Sequence, residues 1–286
     1  MFVAVAARFS DLIYLSLRDR ELASKDKSHS TFAAIYRGDK GRCGNTVTWD
    51  TAAMCVVKKP AEKLVATSID GDIFTYAGGK VAAEKIAPKL HGISGMATIA
   101  GYAYACGTDR EVFKRVDEGK WEPLHAPDAF HLEGMHGFTS IAGYSESDIY
   151  AAGWKGEIWH YDGAKWRQID SPTNEKLSVV VCGEDGQVYI GGRHGMMIRG
   201  RGVDWEVINK EGYKGDIWGM QWFNGCLYAS TLERVCELKG DGLVPVHMGD
   251  DLPNTCYHLT LAEGMMWSVG TDDIFSFDGR KWTRIE

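Results

Sequence analysis

The sequence predicts an all-β protein, a seven-bladed β-propeller of four-stranded antiparallel blades, and three observations carry that prediction. First, one segment recurs: a strand reaching a glycine, a tight loop, a second alternating strand, a turn and a tryptophan. Second, the closing tryptophan advances from Trp121 to Trp166, Trp205 and Trp282, steps of 45 and 39 residues and then a double step of 77. A unit of about 40 residues holding four short strands is the period of a propeller blade. Third, 34 glycines, ten tryptophans and twelve tyrosines against only seven prolines suit short strands joined by tight turns. A solenoid of the same period needs helix-patterned segments, and none of adequate length occurs.

The clearest copy runs Asp148-Ile149-Tyr150-Ala151-Ala152-Gly153 through Ile158-Trp159-His160-Tyr161-Asp162-Gly163 to Trp166. It returns from Gln187 to Trp205 and from Met266 to Trp282, and earlier from Tyr104 to Trp121. Weaker copies begin at Leu64 and Leu227, with Leu243-Val244 where a tryptophan is missing. Extrapolation gives blades ending near Trp49, Val81, Trp121, Trp166, Trp205, Val244 and Trp282, within a single domain over residues 1–286. The first segment, about Met1–Trp49, departs from the pattern, so six blades also fit the spacing. Its polar run Ser24–Ser30 reads as an exposed loop. Pairing of the N-terminal strand Phe2–Arg8 with the last blade is the expected way to close the sheet edges.

The formal net charge of −7 disfavours nucleic acid, whose binding rests on Lys and Arg neutralising phosphates. Acidity suits solubility, or an acidic face meeting a basic partner. The seven cysteines, Cys43, Cys55, Cys106, Cys182, Cys226, Cys236 and Cys256, form no C-x-x-C, and several lie in apolar runs. They read as buried hydrophobes of a reducing compartment. The apolar N-terminus lacks a basic flank and no stretch approaches a membrane span, so a cytoplasmic chain with no membrane partner is expected.

In a blade, the start of the first strand and the loop after the second lie at the same end, at one mouth of the ring. The strand starts there offer Ser94, His136, Leu177, Trp218 and Tyr257. The loops offer Asp70, Thr108-Asp109-Arg110, Trp154-Lys155, Arg193-His194, Glu233-Arg234 and Asp272-Asp273. These residues differ while the frame repeats, which is how a binding surface is written on a scaffold. Trp154 aligns with Thr108, Arg193, Thr231 and Thr271, so no scaffold duty demands an aromatic there. The expected partner-binding set is Asp109, Arg110, His136, Trp154, Lys155, Arg193, His194, Trp218, Tyr257, Asp272 and Asp273. Packing over a neighbouring blade is the competing role for Trp154, as packing near the channel is for Trp218 and Tyr257.

Catalytic patterns are missing. His125, His131 and His136 with Glu133 have spacings that share no face of a helix or strand, and no H-E-x-x-H occurs. Asp272-Asp273 reads as adjacent loop acids, and no G-x-S-x-G is present. Gly191–Gly195 resembles a phosphate loop but sits in a hairpin with no following helix. No metal and no cofactor are expected.

The pattern Tyr150-Ala151-Ala152-Gly153-x-x-Gly156-x-Ile158 with Asp162-Gly163-x-x-Trp166, echoed from Gly270 to Trp282, resembles bacterial propeller repeats of the photosystem II assembly-factor-like and BNR/sialidase-like groups. The resemblance spans about Ala52 to Glu286. The Asp-box Ser-x-Asp-x-Gly-x-Thr-Trp of sialidases is missing, so glycosidase activity is not implied. The superfold hosts many roles; assembly factors are among its members, and toxin neutralisation is a use the resemblance allows. The expectation is therefore a non-enzymatic protein-binding propeller, monomeric on its own, ranked first as an immunity or inhibitor protein for a basic toxin or enzyme domain. A carbohydrate-binding propeller of lectin or tectonin type, stacking sugars on Trp154, Trp218 and Tyr257, is the second reading. A hydrolase or lyase using channel-mouth histidines is the third.

Overall fold

The computed structural model describes residues 1–37, 42–127 and 136–286. Its strands form seven four-stranded antiparallel sheets, in each of which consecutive strands pair. The first blade comprises Phe2–Phe9, Leu12–Leu17, Ser30–Tyr36 and Arg42–Val47. The second comprises Thr51–Val57, Lys63–Ser68, Asp72–Ala77 and Lys80–Lys85, and the third Ile93–Ile99, Tyr102–Gly107, Val112–Asp117 and Lys120–Pro123. The fourth holds Phe138–Ser145, Asp148–Gly153, Ile158–Tyr161 and Trp166–Ile169; the fifth Leu177–Cys182, Val188–Gly192, Met197–Arg201 and Asp204–Ile208. Gly219–Phe223, Cys226–Ser230, Val235–Lys239 and Gly242–Pro245 make the sixth; His258–Ala262, Met265–Val269, Ile274–Phe277 and Trp282–Arg284 the seventh. The architecture is the seven-bladed β-propeller that the repeat predicts, and six blades are excluded.

The chain divides into two compact units, residues 52–208 with blades two to five and residues 1–51 with 209–286. In each, the core lies where successive blades face one another. Within 52–208, Tyr104 and Cys106 of blade three pack with Phe138, Ile149, Trp159 and Trp166 of blade four. The Trp166 indole also donates to Leu124 O at 2.8 Å. The other unit packs Ile13, Leu15 and Ile35 of blade one against Met265, Trp267 and Ile274 of blade seven. Each large aromatic buried this way removes roughly 150–250 Å² from water, which is why the tryptophan recurs. The Asp-Gly before it is turn chemistry. Asp162 Oδ1 accepts from the Ala164 and Lys165 amides at 2.9 Å, Gly163 takes φ +93°, and Asp278 repeats the arrangement with Arg280 and Lys281.

Two expectations need correction. Phe2–Phe9 does not complete the last blade: it pairs antiparallel with Leu12–Leu17, because the two-residue turn Ser10-Asp11 makes that local partner available first. Toward blade seven it offers single bonds, such as the Ala7 amide to Thr260 Oγ1 at 2.9 Å. The run Ser24–Ser30 is not all loop either. Ser24 ends a short helix, Arg20–Ser24, capped by Asp19, while His29 and Ser30 are buried and Ser30 opens a strand. Among the described residues no helix is long and apolar enough to cross a membrane.

His258 opens the first strand of blade seven, and enclosure lowers its imidazole from the ordinary 6.5 to about 4, against a smaller opposing effect of the Val3 backbone. The unfolded chain accepts this proton near pH 6.5 while the native chain resists it down to about 4. Its contribution to stability is therefore complete above pH 6.5 and lost as pH falls toward 4. Urea unfolding at pH 7 and pH 5 should show a drop that His258→Gln reduces; an equal drop in both proteins counts against this origin.

Candidate functional site

The loop after each second strand meets the chain entering the first strand at the same end of the blade. In blade four the Trp154 amide donates to Gly137 O at 3.1 Å; in blade five Arg193 N donates to Lys176 O at 3.1 Å. Both loops are single 3₁₀ turns, Trp154–Gly156 and Arg193–Gly195, whose middle residues Lys155 and His194 are left-handed with φ +54°. That conformation turns their side chains outward, and both are exposed. The blade-three loop is left-handed at two successive residues, Asp109 and Arg110.

Arg110 and His136 share one ion network in the 52–208 unit, and Asp109 is tied to it through its backbone amide. Arg110 Nε and Nη2 donate to Glu157 at 2.8 and 3.0 Å, and the guanidinium stacks 4.7 Å over Trp159. His136 Nδ1 donates to Glu157 Oε1 at 3.1 Å, which leaves Nε2 to accept from Lys155 Nζ at 3.0 Å. Asp109 faces His91 at 3.9 Å, and its amide donates to His136 O. Arg110 and Glu157 are buried, so Arg110 orders the loops while Lys155 and His136 meet solvent. Burial pushes the Glu157 carboxyl up, but bonds from Arg110 and His136 prevail and hold it below the ordinary carboxylate value.

Trp154 is half-buried with Lys176 Nζ 3.9 Å above its ring. Burial first, then the like charge of Arg193, lowers the Lys176 ammonium below the ordinary lysine value. Arg193 is exposed beside it, and His194 faces Glu175 at 3.7 Å. Lys176, one residue before the strand start Leu177, is a residue that sequence comparison missed, because only the fold sets it over the Trp154 ring of the preceding blade.

In the other unit, Trp218 is 49 % exposed and meets Tyr257 edge-on at 5.8 Å. Asp272 is exposed and paired with Arg20. Asp273 is not a solvated twin of Asp272: it is buried, accepts the Asn254 and Thr255 amides at 2.9 and 3.2 Å, and takes Arg284 Nη1 at 2.7 Å. Glu111, also buried, accepts the His91 amide at 2.8 Å. An acid three or four residues after the second-strand glycine therefore grips the chain entering the first strand of its own blade in blades three, four and seven. The pattern Gly107/Glu111, Gly153/Glu157, Gly270/Asp273 was present in the repeat as its findable signal.

No family model matches the chain. It is 37% identical over 290 residues, covering 98% of this chain and 95% of the relative, to the immune protein Tsi7 of Pseudomonas aeruginosa (strain PAO1). The chain belongs to the Tsi7 immune-protein family. Among solved structures, virginiamycin B lyase from Staphylococcus aureus superposes with TM-score 0.66 at 14% identity, covering 82% of this chain and 83% of that one. YCF48, solved bound to D1 peptide, gives TM-score 0.67 at 11% identity, covering 99% and 91%. At such identities these two speak for the fold alone.

Other constellations in this Tsi7-family chain are occupied structurally. His131 and Glu133 lie outside the described residues. His125 accepts the Val112 amide at 3.1 Å and meets Phe113 edge-on, and enclosure lowers its imidazole below the ordinary value. Among the described residues no three His, Cys, Asp or Glu side chains cluster as metal ligands. The six described cysteines are free. Burial pushes Cys55, Cys236 and Cys256 up to about 11 and Cys182 to about 12. Such thiols stay protonated near neutrality and are poor nucleophiles.

Proposed function

We propose that this protein neutralises a toxin by binding it, without catalysis of its own, in the cytoplasm and as a monomer until the toxin arrives. The observation that carries the reading is identity at 37% to an immune protein along 98% of the chain. The partner-facing side chains are then the exposed Lys155, Arg193 and His194 with the half-buried Trp154 in one unit, and the exposed Trp218 and Asp272 with the half-buried Tyr257 in the other. Aromatic and arginine anchors are the usual carriers of interface energy. The net charge of −7 speeds encounter with a toxin or enzyme domain of opposite net charge. Arg110 acts beneath this surface by fixing the loops, with His136 and Asp109 at its margin, and Asp273 does the same in blade seven. A lectin would need equivalent aromatic pockets, whereas Trp154 is replaced by Thr108, Arg193, Thr231 and Thr271 in other blades.

The test is co-expression with a candidate toxin of the organism that encodes this chain. Growth should be rescued by the wild-type protein. Trp154→Ala with Arg193→Ala should weaken toxin affinity about tenfold or more in calorimetry. Rescue and affinity unaffected by that variant would show that the wrong residues have been assigned to the toxin.

A further inference from the structure

The protein carries 39 acidic against 32 basic residues, yet the Trp154 surface inverts that balance. Lys155, Lys176 and Arg193 gather there, and none has a carboxylate partner among the described residues: Lys155 rests on His136 Nε2, Lys176 on the Trp154 ring, and Arg193 extends into solvent. Glu175 is turned toward His194 and Glu157 lies beneath the surface with Arg110, while Asp170 lines the cleft on the far side of Lys155 from the Trp154 ring's lysine. An exposed lysine and arginine ordinarily spread apart into water; here Lys176 is part-buried against an indole with Arg193 close enough to disfavour its charge. Cations held together without counter-charge are relieved by an arriving anion, and a ring among them supplies an apolar floor. An open polar cleft of about 430 Å³ lies beside Lys155, but Glu157 and Asp170 share its lining, so an anion is received on the Trp154, Lys176 and Arg193 side of Lys155 and not in the cleft.

From this geometry we infer that the Trp154–Lys176–Arg193–Lys155 surface docks a short acidic, carboxylate-bearing segment of the partner protein. The inference rests on the reading of the chain as a toxin-binding protein and adds the chemistry of the bound segment. A polyanion such as nucleic acid is disfavoured because the net −7 of the whole chain repels an extended phosphate backbone. A local acidic run on a partner of opposite net charge meets no such barrier. Long-range attraction and local docking then depend on different residues: the acidic surface governs encounter, and the cationic patch fixes register.

The probe is a short fluorescein-labelled peptide of alternating Glu and Tyr, followed by anisotropy on the full chain at low and high salt. Binding should weaken with salt and fall about tenfold or more in Lys176→Glu with Arg193→Glu. Trp154→Ala should weaken it as well, and Val203→Ala, at an exposed turn outside the surface, should leave it unchanged. Circular dichroism confirms that each variant is folded. Equal peptide binding by the charge-reversed variant overturns the inference, as does equal binding of a Lys–Tyr peptide. A single-stranded oligonucleotide held more tightly through the same residues overturns it in favour of phosphate. Failure of the wild-type chain to bind or neutralise any candidate toxin would instead remove the immunity reading while the peptide result stood.

Discussion

Glu157→Ala is expected to cost this protein about 3–5 kcal/mol of stability, as breaking a buried ion pair by removing one partner does. The carboxylate accepts from Arg110 at 2.8 and 3.0 Å, from His136 Nδ1 at 3.1 Å and from Trp159 Nε1 at 3.3 Å. Arg110 is only 8% exposed, so without Glu157 a guanidinium is left in apolar surroundings with the weak Pro127 carbonyl contact at 3.5 Å. Urea unfolding measures the loss. Arg110→Met with Glu157→Leu should recover most of it, because the unpaired charge disappears with its partner. Glu157→Gln should fall between, since an amide accepts one N–H without balancing the cation. The pH dependence has a fixed sign: the native carboxyl titrates below its ordinary 4.5, so the pair's contribution is intact above about 4.5 and disappears as pH falls through the native value. An alanine variant that unfolds at the wild-type urea concentration would refute the network's role. Because His136 also holds Lys155, the same variant should weaken toxin binding even where it stays folded.

This network shows why the fold was more legible in the sequence than the site. Blades are written in local chemistry: a glycine at the end of the second strand, an Asp-Gly turn, then a tryptophan, each acting within a few residues. Trp154, Arg193 and Trp218 could be singled out because they break a repeat that is otherwise regular, and all three reach the surface. Arg110 breaks it too, but its partner Glu157 lies 47 residues along the chain in the next blade, and no local pattern says that an exposed-looking loop arginine is buried. Lys176 escaped for a related reason, as only the fold brings the chain entering blade five over the Trp154 ring. Phe2–Phe9 was misassigned because a closure argument concerns whole sheets, whereas the short turn after Phe9 had already supplied the strand with a partner.

Gly153→Ala is expected to cost about 3 kcal/mol, the upper part of the overpacking range, although the residue lies in ordinary extended backbone at φ −175°. A Cβ there would stand 2.0 Å from Gly137 O and 2.8 Å from the Phe138 Cα, both backbone atoms that cannot rotate away. The same position is filled by Gly107, Gly192 and Gly270, where the added atom would meet the carbonyl oxygens of Gly92, Lys176 and Thr255 at 1.9, 2.4 and 2.1 Å. Close approach of the hairpin loop to the chain entering its own blade's first strand, and not turn conformation, is what the repeated glycine secures. Gly186→Ala separates the two causes within the same unit. Gly186 has φ +82° and nothing within 4 Å of its would-be Cβ, so it should lose only the roughly 1–2 kcal/mol of a left-handed L-residue. If urea unfolding ranks the two variants equally, close approach does not explain the repeat. If Gly153→Ala is the worse, the displaced Trp154 turn should also weaken binding of the acidic peptide, whereas Gly186→Ala should leave that binding intact.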